Sequence, residues 1–296
     1  MAIKEIFVVG AGFMGSGILQ NAAQKGIHAV AYDIAQKSLD RSKQGIIKSL
    51  TKRVQKGKIT QEEMDATISR IGYTTNIADC KDADFIIEAV SENKDLKISI
   101  MKELDKYANP DAIISSNTSS ISITSLGSVF KDPSRFVGTH FFSPVPVMPL
   151  MEIVRGFQTG EKAKKMAAEL GEMMGKTCIH SRDEAGFIIN RMLLPMLNEA
   201  CLVVERRVGT IEEIDTGMKL GLNHPMGPLE LMDMIGIDVE LAVMEVLYTE
   251  IGDPKYRPSQ SLRRMVDAGY LGRKTGIGFY IYHEDGTREP NYAMLL

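Results

Sequence analysis

Two ionisable residues stand out in the otherwise apolar stretch RFVGTHFFSPVPVMPLMEIVRG: His140, after an extended run, and Glu152, inside the run LMEIV. A carboxylate carried alone into an apolar interior is costly unless it is paired or protonated, so Glu152 calls for a counterpart. His140 is the natural one, and Pro144, Pro146 and Pro149 between them suit a sharply turned connection that returns the chain alongside itself. An imidazole that donates one ring N–H to a carboxylate is held in one tautomer, and its other nitrogen can take a proton from an alcohol. Removal of a hydride from a carbinol carbon demands that step, because the hydroxyl proton must leave too. From spacing alone, the competing reading of His140 is a core histidine satisfied by a backbone carbonyl.

A second array could supply the hydride acceptor. VVGAGFMGSGILQNAAQKG places Gly10, Gly12 and Gly15 directly after an apolar strand and directly before a helical pattern, with Ala11, Phe13 and Met14 between them. The first glycine permits a tight turn, the second lets a pyrophosphate approach the backbone, and the third lets helix and strand pack closely, with phosphate charge on the helix N-terminus. The next strand, HAVAYD, ends in Asp33, eighteen residues after Gly15, where a carboxylate can accept bonds from an adenosine ribose diol. Its charge would oppose a 2′-phosphate, so NAD is expected over NADP, although Lys37 lies nearby. The plainer alternatives are a strand-to-helix turn with no ligand and an Asp33 that caps the helix beginning near Ala35.

The elements needed to position these groups are legible around them. In the first half, short β-rich runs alternate with longer helical patterns, the mark of βαβ units and a parallel sheet. Ile6 to Val9, Ala29 to Tyr32, Phe85 to Ala89 and Ala112 to Ser115 are the expected buried strands. Thr60 and Glu63 have capping-box spacing and open a helix over 60–71, with a helical hairpin expected before it. Beyond about residue 183 the β-rich runs nearly vanish. FIINRMLLPMLNEACLVVE and PLELMDMIGIDVELAVMEVLYTE carry apolar residues at helical spacing, and their methionines read as core or subunit interface. The chain is thus expected to be an α/β protein, a doubly wound Rossmann-type mostly parallel sheet over residues 1–183, followed by an all-α domain over 184–296.

Bulk properties narrow the function. A formal net charge of −3 with 25% charged residues gives no reason to expect a nucleic-acid partner. The N-terminal apolar run is too short for a signal peptide or membrane span. Cys80, Cys178 and Cys201 match neither a disulfide framework nor a metal site, so no metal is expected and a reducing cytoplasm is.

Across nearly its whole length the chain resembles the 3-hydroxyacyl-CoA dehydrogenase family, and within it the short bacterial 3-hydroxybutyryl-CoA dehydrogenases. The resemblance is carried by GAGFMG at 10–15, EAVSENKDLK at 88–97, SNTSS at 116–120, HFFSPVPVMPLMEIV at 140–154, GFIINRMLLP at 186–195, HPMGPLELMD at 224–233 and GRKTGIGFY at 272–280. It implies that His140 is the general acid or base, with Glu152 as its orienting partner. Ser119 would hydrogen-bond the 3-oxygen of the substrate, and Asn190 would support substrate and histidine from the helical domain. Glu92, Lys97 and Lys274 would line the nicotinamide side of the cofactor. Each has a plainer reading: Ser119 as a helix cap, Asn190 on an exposed helix face, Glu92 and Lys97 as a surface ion pair, Lys274 solvated in a turn.

Two departures stand in the catalytic segment. Ser143 replaces a common Asn of the family and is kept as a cofactor contact, and Pro149 replaces a common Lys and should mark an edge or bend before the Glu152 strand. Between Lys37 and Lys58 eight basic residues face one acidic residue, Asp40, a stretch suited to the phosphates of coenzyme A, or else a solvated helix face. The resemblance points to Ser49 and Lys56 as its contacts. The expected activity is NAD-dependent interconversion of short-chain L-3-hydroxyacyl-CoA and 3-oxoacyl-CoA in a homodimer or higher homo-oligomer. The alternatives are a dehydrogenase of free 3-hydroxy acids or sugar acids, and a non-catalytic NAD-binding structural protein.

Overall fold

A computed structural model describes residues 3–295 and divides into two compact units, Met1–Glu184 and Ala185–Leu296. The first is built on an eight-stranded sheet in the order β3-β2-β1-β4-β5-β6-β7-β8. In chain order it comprises β1 (Glu5–Val9), α1 (Phe13–Gln24), β2 (His28–Tyr32), α2 (Gln36–Gln55), α3 (Gln61–Ser69), β3 (Ile71–Thr74), β4 (Phe85–Glu88), α4 (Lys94–Tyr107), β5 (Ile113–Ser116), α5 (Ile123–Gly127), β6 (Phe136–Phe141), β7 (Leu150–Arg155), α6 (Glu161–Met173) and β8 (Thr177–Arg182).

The first six strands pair in parallel, and β7 turns back antiparallel to β6. Ile6 and Val8 of β1, with Phe85 and Ile87 of β4, share one core with α1 and α6 residues, while the intervening Phe7 and Ile86 are buried on the other side. That period of two on a doubly covered sheet is why these strands read as continuous apolar runs.

The four expected strands are β1, β2, β4 and β5, each within one residue at either end. β3 and β8 gave no comparable signal. They are the sheet's two edges, β3 only half-buried and β8 carrying His180, Ser181 and Arg182, so neither holds a buried apolar run. The helical hairpin is displaced from its expected place. Residues 36–55 form a single helix of 20 residues with no breaker strong enough to divide it. It pairs with the helix that Thr60 and Glu63 open through a complete capping box, so the hairpin is α2 with α3.

The second unit holds α7 (Ile189–Glu205), α8 (Ile211–Gly221), α9 (Pro228–Ile235), α10 (Ile237–Ile251) and α11 (Gln260–Asp267). Leu194, Leu197, Cys201 and Val204 form the buried stripe of α7, and Met232, Met244 and Met265 pack in the same core. A two-stranded antiparallel sheet, β9 (Tyr280–Tyr282) with β10 (Arg288–Pro290), departs from the all-helical expectation. Two buried aspartates fasten this unit. Asp215 accepts from the backbone N–H of Leu229 and Glu230 and from the Tyr280 hydroxyl; Asp233 accepts from the backbone N–H of Phe279 and Tyr280 and from the Tyr282 hydroxyl. A Cβ on Gly278 would fall 2.0 Å from Asp233 Oδ1. HPMGPLELMD and GRKTGIGFY are thereby two halves of one hydrogen-bonded joint. Among the described residues no helix is long and apolar enough to cross a membrane.

Candidate active site

Strand order reverses between β1 and β4, and the segments leaving their carboxyl ends flank the position where open α/β sheets bind ligands. Gly10 has φ of 104°, a left-handed conformation that bulkier residues rarely adopt. A Cβ on Gly15 would fall 1.8 Å from the Gly10 carbonyl oxygen, so the helix can approach the strand only without one. At Gly12 the corresponding position has no atom within 4 Å, and no side chain caps α1. The helix therefore presents first-turn N–H groups beside open space, the arrangement that takes a pyrophosphate. Phe13 is exposed on this loop and Met14 packs against the core.

Asp33 does not supply a side-chain cap to α2, whose N-cap is Ala35. Its Oδ1 accepts from Ala35 N–H at the start of α2, and its Oδ2 accepts from Ala11 N–H in the glycine loop, both at 3.0 Å. It ties the loop to the next helix, and each oxygen keeps a lone pair for a ribose hydroxyl. The residues present fit a dinucleotide.

On the other side of the sheet centre, β6 and β7 place His140 directly opposite Glu152, with Nδ1 at 2.7 Å from Oε2. Glu152 is fully buried, His140 is nearly so, and the His140 ring lies 4.6 Å from that of Phe142. The chain makes the turn between them through Pro144–Met148, where Val147 and Met148 N–H donate to the Pro144 carbonyl. Ser143 is exposed at the start of that turn and joins Pro144 through a cis peptide bond. Pro149 stands one residue before β7 at the bend, where its carbonyl accepts from Thr177 N–H. The strand it precedes is internal, between β6 and β8, so the edge half of the Pro149 expectation does not hold.

Lys97 is not the surface residue of its plainer reading. Its ammonium is fully buried between Glu88 at 2.7 Å and Glu92 at 3.4 Å, so it reaches the site only through those carboxylates. Glu88 also accepts from Ser116 Oγ at 2.6 Å and from Val90 N–H. Glu92 Oε1 gathers Thr118 Oγ1 at 2.5 Å, the N–H and Oγ of Ser119 and the N–H and Oγ of Ser120. Burial pushes the Glu92 carboxyl up, but Lys97 and these donors outweigh it and hold it below the usual carboxylate range. Ser119 thus sits in a turn fixed by Glu92 and does not cap α5, whose cap is Ser122. Glu88 was missed from the sequence, although FIIE carries the same signal that singled out Glu152, a carboxylate at the end of an apolar run.

A cleft of about 840 Å³ runs from the glycine loop along α2 to the Pro144–Val147 turn. Ser49 lines it and its hydroxyl accepts from Gln20 Nε2 at 3.3 Å. Lys56, the residue that ends α2, is exposed and outside the lining, because the helix turns it away; Arg41, Arg53 and Lys58 line the cleft instead. The Arg53 Nε is buried with no hydrogen-bond partner among the described residues. In the second unit Asn190 lies half-buried in the first turn of α7, and Lys274 pairs with Asp238. Among the described residues no group of three or more His, Cys, Asp and Glu could hold a metal ion.

A glycine loop shaped for a dinucleotide and a buried His–Glu pair on one sheet are the arrangement an NAD-dependent dehydrogenase needs. Residues 5–184 match the 3-hydroxyacyl-CoA dehydrogenase NAD binding domain, and residues 186–282 match the 3-hydroxyacyl-CoA dehydrogenase C-terminal domain. A probable 3-hydroxybutyryl-CoA dehydrogenase of Deinococcus radiodurans is 49% identical, covering 93% of this chain and 99% of its own length; a counterpart in Bacillus subtilis is 46% identical over 96% and 99%. The crystal structure of (S)-3-hydroxybutyryl-CoA dehydrogenase from Ralstonia eutropha superposes with a TM-score of 0.92 at 47% identity, covering 96% of this chain and 100% of that one. The chain belongs to the 3-hydroxyacyl-CoA dehydrogenase family.

Proposed function

We propose that this protein interconverts short-chain L-3-hydroxyacyl-CoA and 3-oxoacyl-CoA, with 3-hydroxybutyryl-CoA and acetoacetyl-CoA as the working pair. The observation that carries the reading is the buried His140–Glu152 hydrogen bond on adjacent strands. Glu152 accepts a hydrogen bond from Nδ1–H and thereby makes Nε2 the basic nitrogen, which takes the 3-hydroxyl proton in oxidation and returns it to the 3-oxygen in reduction. Bound NAD supplies the hydride acceptor for the carbinol carbon. Ser119, whose backbone N–H is held by Glu92, turns its hydroxyl proton from Glu92 to the 3-oxygen as charge develops there. Asn190 is assigned to substrate support, and Ser143 and Lys274 to the cofactor, by their positions in the family motifs.

The basic lining of the cleft favours a coenzyme A thioester over a free hydroxy acid, because Arg41, Arg53 and Lys58 answer phosphate charge that a free acid lacks. Ser49 and Lys56 belong to this reading as the family's contacts. Exposed Val208, Leu220 and Leu222 on the second unit suit a homodimer or higher homo-oligomer. The free thiols Cys80, Cys178 and Cys201 suit a reducing cytoplasm. The reaction belongs to butyrate or fatty-acid metabolism.

The test is NADH consumption by the purified protein with acetoacetyl-CoA, beside free acetoacetate and L-gulonate. Rapid oxidation with the thioester alone is expected. Preference for either free acid would replace the thioester assignment, and NADH binding without turnover of any of them would leave a structural NAD-binding protein.

A further inference from the structure

Lys176 is a buried cation outside the catalytic pair. It follows Gly175 at the end of α6, directly before β8, and is 8% exposed. Its Nζ donates to the carbonyl oxygens of Val145 at 2.5 Å and Met148 at 2.8 Å. Nearby charge is that of another cation, since the Lys25 ammonium approaches Gly175. An ammonium placed in the interior without a carboxylate is costly, and two carbonyl dipoles are what compensate it here.

Those carbonyls belong to one structural device. Val147 and Met148 N–H both donate to the Pro144 carbonyl, so Pro144–Met148 is a single helical turn whose carbonyl end receives the cation. The turn joins the strand of His140 to the strand of Glu152. Val145, on its inner side, is buried and fills the room left by Gly17 of α1, where a Cβ would fall 3.1 Å from Val145 Cβ. Val147, on its outer side, is 71% exposed and forms part of the cleft wall.

We propose that Lys176 is a positioning residue that clamps the Pro144–Met148 turn and so sets the wall against which the coenzyme A thioester lies. The clamp rests on the reading of the cleft as the thioester side. Both of its contacts lie on the turn, so its loss should weaken the thioester more than the dinucleotide.

Lys176→Met preserves side-chain length, removes the donors and leaves no unpaired charge behind, so folding should survive. Isothermal titration of coenzyme A is expected to show Kd raised about tenfold, the effect of losing charge-assisted hydrogen bonds on a binding wall. KM for acetoacetyl-CoA should rise in parallel, kcat at saturation should change less than KM, and Kd for NADH should rise less than that for coenzyme A. Amide hydrogen exchange at Val147 and Met148 should accelerate. Lys176→Arg should bring KM back toward wild type, and Lys176→Gln, with one donor group left, should fall between; the Gln variant takes the same readouts if the Met variant does not fold. A lower melting temperature with coenzyme A affinity and KM intact would make Lys176 a mere anchor and overturn the clamp, as would equal losses for NADH and coenzyme A. Wild-type protein that neither binds coenzyme A nor turns over the thioester would overturn the functional reading and the clamp together.

Discussion

At the scale of single residues, the fully buried charges beside the sheet centre, Glu88, Lys97 and Glu152, each have a partner. Glu152 is fully buried, yet His140 Nδ1 stands at 2.7 Å from it, so the carboxylate is not a stray charge. His140→Ala should keep NADH binding while lowering kcat on the order of 10²-fold or more, the scale of a lost general acid or base. Steady-state kinetics beside an NADH titration checks this, and near-normal turnover would reject His140. Glu152→Gln keeps the shape but can offer an amide donor where Nδ1–H needs an acceptor, so kcat should fall on the order of tenfold or more with the fold intact. Asp33 faces the ribose position with a negative charge, and a 2′-phosphate there would meet repulsion. Comparable kcat/KM for NADH and NADPH would defeat that expectation of NADH preference.

At the scale of elements, the glycine loop depends on contact between α1 and β1. Gly15→Ala would push a methyl group to 1.8 Å from the Gly10 carbonyl oxygen, and neither backbone can yield without moving the helix N-terminus. Overpacking of this kind costs on the order of 1–3 kcal/mol. A lower melting temperature together with a loss of NADH affinity is expected, measured by calorimetry and titration; a variant that binds NADH like wild type would show that the close approach is dispensable. The α2–α3 hairpin shows where local sequence suffices and where it does not. Thr60 and Glu63 mark the start of α3 because a capping box is a local hydrogen-bond circuit. That α2 delivers Arg41 and Arg53 to the cleft, and the turn after it brings Lys58 there but leaves Lys56 out, depends on how the hairpin packs, which the run of basic residues does not encode.

At the scale of the whole molecule, the second unit carries a buried group that makes its stability depend on pH. Glu240 is 4% exposed on α10, its Oε2 has no hydrogen-bond partner among the described residues, and burial pushes its carboxyl up to about 7. The folded chain then holds this proton between about pH 4.5 and 7, where an unfolded chain releases it. Its contribution to stability is therefore fully present below the ordinary carboxylate value and declines as pH rises toward 7. Glu240→Gln removes the ionisation, so at pH 8 the variant should be more stable by about 1–3 kcal/mol, with the gap closing below pH 5. Denaturant melts at both pH values check this; a pH-independent difference would mean that Glu240 is held by a partner after all. Asp215 and Asp233 differ from Glu240 in that backbone N–H groups and tyrosine hydroxyls occupy them, which makes them joints of the scaffold.

The sequence by itself determined the glycine loop, the central strands and the pairing of His140 with Glu152. Gly10, Gly12, Gly15 and Asp33 act through local backbone geometry, and strands buried on both faces must be apolar throughout. Glu152 inside an apolar run required a partner, for which His140 was the natural candidate. Only the tertiary structure decided what depends on long-range pairing: the edge strands β3 and β8, the burial of Lys97 between Glu88 and Glu92, the capture of the Ser119 turn by Glu92 and the hold of Lys176 on the Pro144–Met148 turn. A lysine that ends in a buried carbonyl cage and a lysine on a solvated face have the same sequence signature, because the difference lies in which distant backbone arrives beside them.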